Sequence, residues 1–272
     1  MSALIIIFAV ICVLIFLLLF LISPAGYRPS VKPFLGKYYA HRGLFDNKTI
    51  PENSLPAFEK AKEKGYGVEL DVRLTGDGKA VVFHDSTLER MCGRKITVSD
   101  VSYTRLSLHP LLGGNEKIPL LSEALEVLDG VTLICEIKAT KDKADTIKLC
   151  KKTAYILKNY KGHYCVHSFS PIAVRWFRKN APKVVRGQLS APFRSDKTVK
   201  GFSAFAMRNM LINFIGRPNF ISYNHEDTRA LGFNLLRLMR PGLFAWTVKS
   251  EKELNKAKEK FESFIFEGFE PK

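Results

Sequence analysis

Five cysteines occur in the 272-residue chain, and no two of them form a CxxC pair. That absence argues against a structural zinc site, whose ligands come at such spacing. Cys12 lies in an apolar run, while Cys92, Cys135, Cys150 and Cys165 are scattered, which reads as reduced thiols packed as small hydrophobes. Acidic residues are in short supply: 26 Asp and Glu stand against 42 Lys and Arg, a formal net charge of +16. No nucleic-acid module accompanies that excess, and the aromatic residues do not interleave with the basic ones as a stacking surface requires, so no nucleic-acid partner is expected. A basic surface beside anionic lipid headgroups, steering anionic ligands toward a site, is the better account. With 46% hydrophobic and 25% charged residues, the chain lacks the composition of a disordered protein and can bury one large core.

Charge is missing altogether from Ala3 to Ile22. As a helix this run is about 30 Å long, the thickness of a bilayer's hydrocarbon. Met1 and Ser2 bring no basic side chain, and Ser23 to Gly26 make a poor cleavage site, so residues 1–23 read as a retained transmembrane anchor and not as a cleaved signal peptide. Arg28, Lys32 and Lys37 follow, which by the positive-inside tendency puts the remainder on the cytoplasmic side of a membrane. Pro24, Gly26, Pro29, Pro33 and Gly36 break the helix into a linker over 24–36, leaving 37–272 as one domain.

Within that domain strand and helix patterns alternate. Strands are expected at Tyr38 to Ala40, Val68 to Val72, Leu133 to Ile137, Tyr164 to His167, Val184 to Leu189, Phe220 to Tyr223, Leu243 to Val248 and Phe264 to Phe266. Helices are expected at Ser54 to Lys64, Ser122 to Leu128, Lys143 to Asn159, Ile172 to Asn180, Ala204 to Phe214, Ala230 to Met239 and Glu251 to Phe261. This is the count of an α/β fold of the (β/α)8 TIM barrel type, preceded by one transmembrane helix and lacking its eighth helix. The Tyr27 to Leu35 linker or the membrane surface would then cover the groove between last and first strands. A ninth apolar run, Ala80 to Phe83, follows Thr75-Gly76-Asp77-Gly78, a turn too short for a parallel crossover. It must fold back as a hairpin, delivering His84 to the barrel mouth, with a short insertion over 86–119 after it.

Glu69 and Asp71 share a strand face, which in a closed barrel is the interior. Two such carboxylates need a cation, and with Glu136 from the next barrel strand they form an oxygen-rich set suited to Mg²⁺ or Ca²⁺. His41 and His84 flank that position from two segments, as an acid and a base for phosphodiester cleavage would. Arg42 and Lys138 can hold phosphoryl oxygens, Arg42 by its planar fork and Lys138 as a point charge. His109, His163, His167 and His225 have no such setting at the rim and read as structural.

These stretches resemble the glycerophosphodiester phosphodiesterase family. The matching text is Ala40-His41-Arg42-Gly43, Pro51-Glu52-Asn53 with Ala57 and Phe58, Glu69-Leu70-Asp71-Val72, Thr75-Gly76-Asp77-Gly78 and Val81 to Asp85 with Leu88 and Arg90. Glu136-Ile137-Lys138, Ser168-Phe169 and Trp246-Thr247-Val248 continue it. The resemblance implies Glu69, Asp71 and Glu136 as metal ligands, His41 and His84 as the acid and base pair, and Arg42 and Lys138 on phosphate. Phe169 and Trp246 would line the pocket for glycerol or headgroup. It implies attack of the glycerol 2-hydroxyl on phosphorus, departure of the alcohol, then opening of the cyclic phosphate by water to glycerol 3-phosphate. The chain departs from the family at its last strand, where Phe264 to Phe269 stands in place of a Thr and Asp pair. Two alternatives accompany this reading: lysophospholipid hydrolysis of lysophospholipase D type at the membrane, and an inactive membrane-bound binding module.

Overall fold

A computed structural model describes residues 2–26, 29–193 and 199–272. Tyr27 and Arg28 of the expected linker, Arg28 being part of the orientation argument, lie outside the described residues. The first helix, α1 (Ser2–Ile22), is the apolar run, long and apolar enough to cross a membrane and almost wholly exposed. There follow β1 (Tyr38–His41), α2 (Leu55–Glu63), β2 (Gly67–Leu74), β3 (Ala80–Val82), α3 (Glu89–Cys92), α4 (Tyr103–Leu106), α5 (Leu121–Val127), β4 (Leu133–Ile137), α6 (Lys143–Leu157) and β5 (Tyr164–Ser168). The second half holds α7 (Pro171–Asn180), β6 (Val185–Ser190), α8 (Gly201–Arg208), α9 (Asn213–Gly216), β7 (Phe220–Asn224), α10 (Leu231–Leu238), β8 (Gly242–Val248), α11 (Glu251–Ala257) and β9 (Ser263–Phe266).

Eight of the strands pair in parallel in the order β1-β9-β8-β7-β6-β5-β4-β2, and β1 closes on β2, so the expected TIM barrel is what forms. The helices bury one face against it: α2, capped by Ser54 and with Pro56 in its first turn, turns Ala57, Phe58 and Ala61 to the sheet. As the short turn demanded, β3 runs antiparallel to β2, with Val82 opposite Val72 and Ala80 opposite Leu74. The segment after it carries a small core of its own, Val81, Phe83, Leu88, Met91, Val98, Leu106, Leu111 and Ile118. Sequence periodicity predicts one helix over Ala204 to Phe214, whereas the structure breaks it into α8 and α9. Asn209 accepts the Gly232 N–H and Met210 takes a left-handed φ of 59°, so a contact from α10 ends the helix there.

The linker takes a place other than the expected one. Phe34 enters the floor of the barrel, at the strands' N-terminal ends, among Tyr39, Ile134, Cys165, Val185, Phe220, Phe244 and Ile265. Its carbonyl accepts from the Tyr39 hydroxyl at 2.9 Å and the Ser263 hydroxyl at 3.0 Å. The outer side of β1 and β9 is instead covered by the C-terminal tail: Phe269 packs on Phe266, and the Pro271 carbonyl accepts from Tyr66 Oη on the loop after α2. A linker must cross the floor to reach β1, so its apolar residue is drawn into the nearest unfilled interior. Phe34→Ala is expected to cost about 3–5 kcal/mol, as a large buried aromatic does. A urea midpoint unchanged from the parent would contradict this packing.

Candidate active site

Interior positions follow from strand register. Asp71 pairs with Glu136, and Glu136 with His167, so all three lie in one layer just below the C-terminal mouth, with Glu69 one step beneath Asp71 and opposite His41. Above them opens a cavity of about 380 Å³, lined by His41, Arg42, Glu69, His84, Glu136, Lys138, His167, Phe169, Trp246, Lys249 and Glu267 among others. Eight of the nine expected site residues reach this cavity. Asp71, the ninth, is fully buried behind it.

Two carboxylates and an imidazole, from Glu69, Glu136 and His167, place one ligand atom each within 4.8 Å of one another. Glu69 is 1% exposed, yet its nearest polar partners among the described residues stand at 3.3 Å (Arg42 N), 3.4 Å (His167 Nε2) and 4.0 Å (His41 Nε2). A buried carboxylate with no closer partner is under-satisfied, which is the condition a cation in that gap would relieve. Asp71 has closer cations but is not fully satisfied: Lys138 Nζ lies at 2.9 Å, Asn53 Nδ2 donates to Oδ2 at 2.8 Å and Arg42 Nε lies at 3.3 Å, yet its buried Oδ1 accepts no hydrogen bond among the described residues. Burial alone would raise its carboxyl, but Lys138, His84, Arg42 and His41 hold it well below the usual carboxylate range. Lys138 also reaches Glu136 at 2.8 Å; burial would lower its ammonium, and the two acids push it up.

Each expected catalytic imidazole is held by a carboxylate. His41 Nδ1 is 2.6 Å from Glu267, and His84 Nδ1 is 2.7 Å from Asp85. Burial would raise the Glu267 carboxyl, but hydrogen bonding and charge from His41 and Lys249 bring it down to about 2. Lys249 Nζ sits 2.8 Å from the second oxygen of Glu267. The two imidazole segments are also tied to each other. Arg42 reaches Glu52 at 2.6 Å, Arg90 grips both oxygens of Glu52 at 2.6 and 2.8 Å, and Arg90 Nε donates to Asp85 at 2.6 Å. Arg42 and Asn53 both adopt positive φ, 57° and 55°, and the Asn53 N–H donates to the Arg42 carbonyl at 2.9 Å. These sparsely populated conformations turn both side chains onto Asp71.

The sequence reads His167 as structural and points to no role for Glu52, Asn53, Arg90 or Glu267. His167 was recoverable by strand parity, since it sits two residues after the interior Cys165. Glu52, Asn53 and Arg90 stand in the matched motifs but carry no sign of their partners. Phe169 and Trp246 meet edge to face at 5.5 Å, and Phe169 meets Phe193 at 5.9 Å. They wall a second, more apolar cavity of about 910 Å³ that shares Glu136, Lys138, Phe169 and Trp246 with the first.

Residues 41–263 match the model of the Glycerophosphoryl diester phosphodiesterase family. The glycerophosphodiester phosphodiesterase of Caldanaerobacter subterraneus subsp. tengcongensis is 32% identical over 161 residues, 55% of this chain and 65% of that one. A human lysophospholipase D is 31% identical over 142 residues, 47% of this chain and 42% of that one. The match spans 65%, 39% and 40% of three curated bacterial relatives, under two thirds of each. In fold, the chain is similar to an Oleispira antarctica phosphodiesterase solved with the product sn-glycerol-3-phosphate, at a TM-score of 0.72 and 21% identity over 86% of this chain and 94% of that one. A family match that runs from the end of the first barrel strand to the start of the last makes this chain a member of the glycerophosphoryl diester phosphodiesterase family.

Proposed function

We propose that the chain hydrolyses glycerophosphodiesters to glycerol 3-phosphate and an alcohol. The observation that carries this is the pair of carboxylate-held imidazoles, His41 and His84, facing one cavity whose floor is an under-satisfied buried acid, Glu69. Glu69, Asp71 and Glu136 would hold the divalent ion, with His167 as a further donor, and the dominance of oxygen favours Mg²⁺ or Ca²⁺. Bound there, such an ion supplies Lewis-acid polarisation and neutralises charge that develops on oxygen. Arg42 and Lys138 hold the phosphoryl oxygens. Of the two imidazoles, one takes the proton of the attacking glycerol hydroxyl and the other gives one to the departing alcohol oxygen. Glu267 and Asp85 fix the ring orientation by holding Nδ1, which leaves Nε2 as the nitrogen for that transfer.

The second reading, a lysophospholipase D type of reaction on lysophospholipids, draws on the apolar 910 Å³ cavity beside the site, with room for part of an acyl chain. Assays on glycerophosphocholine, glycerophosphoglycerol and lysophosphatidylcholine, each with EDTA and with added Mg²⁺ or Ca²⁺, separate the readings. Turnover of the glycerol diesters that stops with EDTA is expected; activity confined to the lysolipid would reject the first reading, and no turnover with any ion would leave a binding module. Trp246→Ala and Phe169→Ala should raise KM about tenfold or more while changing kcat little, because they wall the pocket and reach no reacting atom. Loss of kcat at constant KM would show that these rings do something else.

A further inference from the structure

The end of α1 is built into the barrel. The Ile22 carbonyl accepts from Asn213 Nδ2 at 2.9 Å, the Phe20 and Ser23 carbonyls accept from the Arg217 guanidinium at 2.9 and 3.1 Å, and the Ala25 N–H donates to the Pro218 carbonyl at 2.7 Å. Phe20 packs on Phe214 at 6.1 Å with Arg217 over its ring at 4.5 Å. Arg217 and Pro218 stand just before β7, so this junction is at the floor, as is the Phe34 plug. From there α1 leaves without running along the barrel wall, for most of its side chains are exposed. The candidate active site opens at the other end of the strands, about 15–20 Å away at 3.3 Å per residue.

Charge follows the same division. Among the described residues, the segments that lead from helices into barrel strands carry ten Lys and Arg against three acidic residues, and Lys158, Lys161, Lys183 and Arg240 are exposed there. A basic floor next to a membrane-length apolar helix is complementary to anionic headgroups. We propose that the barrel stands with its floor on the anionic surface of the bilayer that α1 crosses and its mouth turned to the aqueous phase, so that substrate arrives from solution and not from the same leaflet. This rests on the phosphodiesterase reading of the mouth and on retention of α1 as an anchor.

The test uses the full chain, carrying Cys12→Ala and Cys92→Ala, reconstituted into phosphatidylglycerol and phosphatidylcholine vesicles with a headgroup-linked acceptor dye. A donor dye is placed on Lys183→Cys at the floor or on Lys141→Cys at the mouth, both exposed positions. Energy transfer from position 183 should exceed that from 141 at least twofold; equal or reversed transfer overturns the proposal. In the same vesicles, soluble glycerophosphocholine should turn over at least tenfold faster than lysophosphatidylcholine held in the bilayer, and equal rates overturn the proposal too. Loss of both hydrolyses with the energy-transfer difference intact would strike the phosphodiesterase reading and leave the orientation standing.

Discussion

Glu69→Gln should lower kcat by about 10²–10⁴-fold, the effect expected when several kcal/mol of charge stabilisation is removed from a transition state. The reason lies in how poorly Glu69 is served by the protein itself. It is 1% exposed and, among the described residues, its hydrogen bonds come no nearer than 3.3 Å, which leaves room for a cation beside it. A neutral amide of the same shape removes the desolvation cost, and the variant should therefore fold at least as well as the parent without added metal. Thermal unfolding separates this from a structural role. Mg²⁺ or Ca²⁺ should raise the Tm of the parent, because a ligand that binds only the native state stabilises it, and should leave the variant's Tm unchanged. A variant that still responds to the ion, or one that unfolds without it, would remove Glu69 from the metal site.

His41→Ala and His84→Ala should each cost about 10²–10⁴ in kcat, the usual worth of a positioned acid or base. The double variant should be little worse than either single one, since groups that act in one proton-transfer sequence are not additive. Glu267→Gln tests the support of His41: a smaller loss is expected, with KM near the parent's. The same substitution has a signature in stability. The Glu267 carboxyl is depressed from 4.5 to about 2, so its contribution is present above about pH 4.5 and is lost as pH falls through about 2. Acid unfolding curves should therefore show the parent losing more stability than Glu267→Gln across that window. Parallel curves would mean that the His41 and Glu267 pair adds nothing to the native state.

The barrel and its hairpin were legible in the sequence for local reasons. Apolar period, Pro and Gly punctuation and a four-residue turn are properties of neighbouring residues, and they suffice to send His84 back to the mouth beside Glu69. The break between α8 and α9 was not legible, because it is enforced by Gly232 from another helix. The direction of Asp71 depends on which residues surround it: the two-residue spacing places it inside the barrel, but only the fold shows Lys138, Arg42 and Asn53 closing on it. Glu267 was hidden most completely. It stands in the stretch Phe264 to Phe269 that departs from the family's Thr and Asp pair, and its partner His41 is 226 residues away in the chain. The linker was misplaced since nothing in a run of Pro and Gly says which surface its one Phe will find.

Arg90 is the hinge on which a wider consequence turns. Almost half exposed on the lobe that follows the hairpin, it clasps Glu52 with one part of its fork and Asp85 with another. The segments 42–53 and 84–90 are thereby tied together by a guanidinium that does not line the cavity, in addition to the β2 and β3 pairing and the Arg73 bond to the His84 carbonyl. A lobe of different length could be grafted here and the chemistry kept, so long as one guanidinium still spanned those two acids. Remodelling that kept the lobe's shape but lost that clasp would still hold His84 through β3 and Arg73, while Asp85, the partner of its ring, would lose its tie to Glu52.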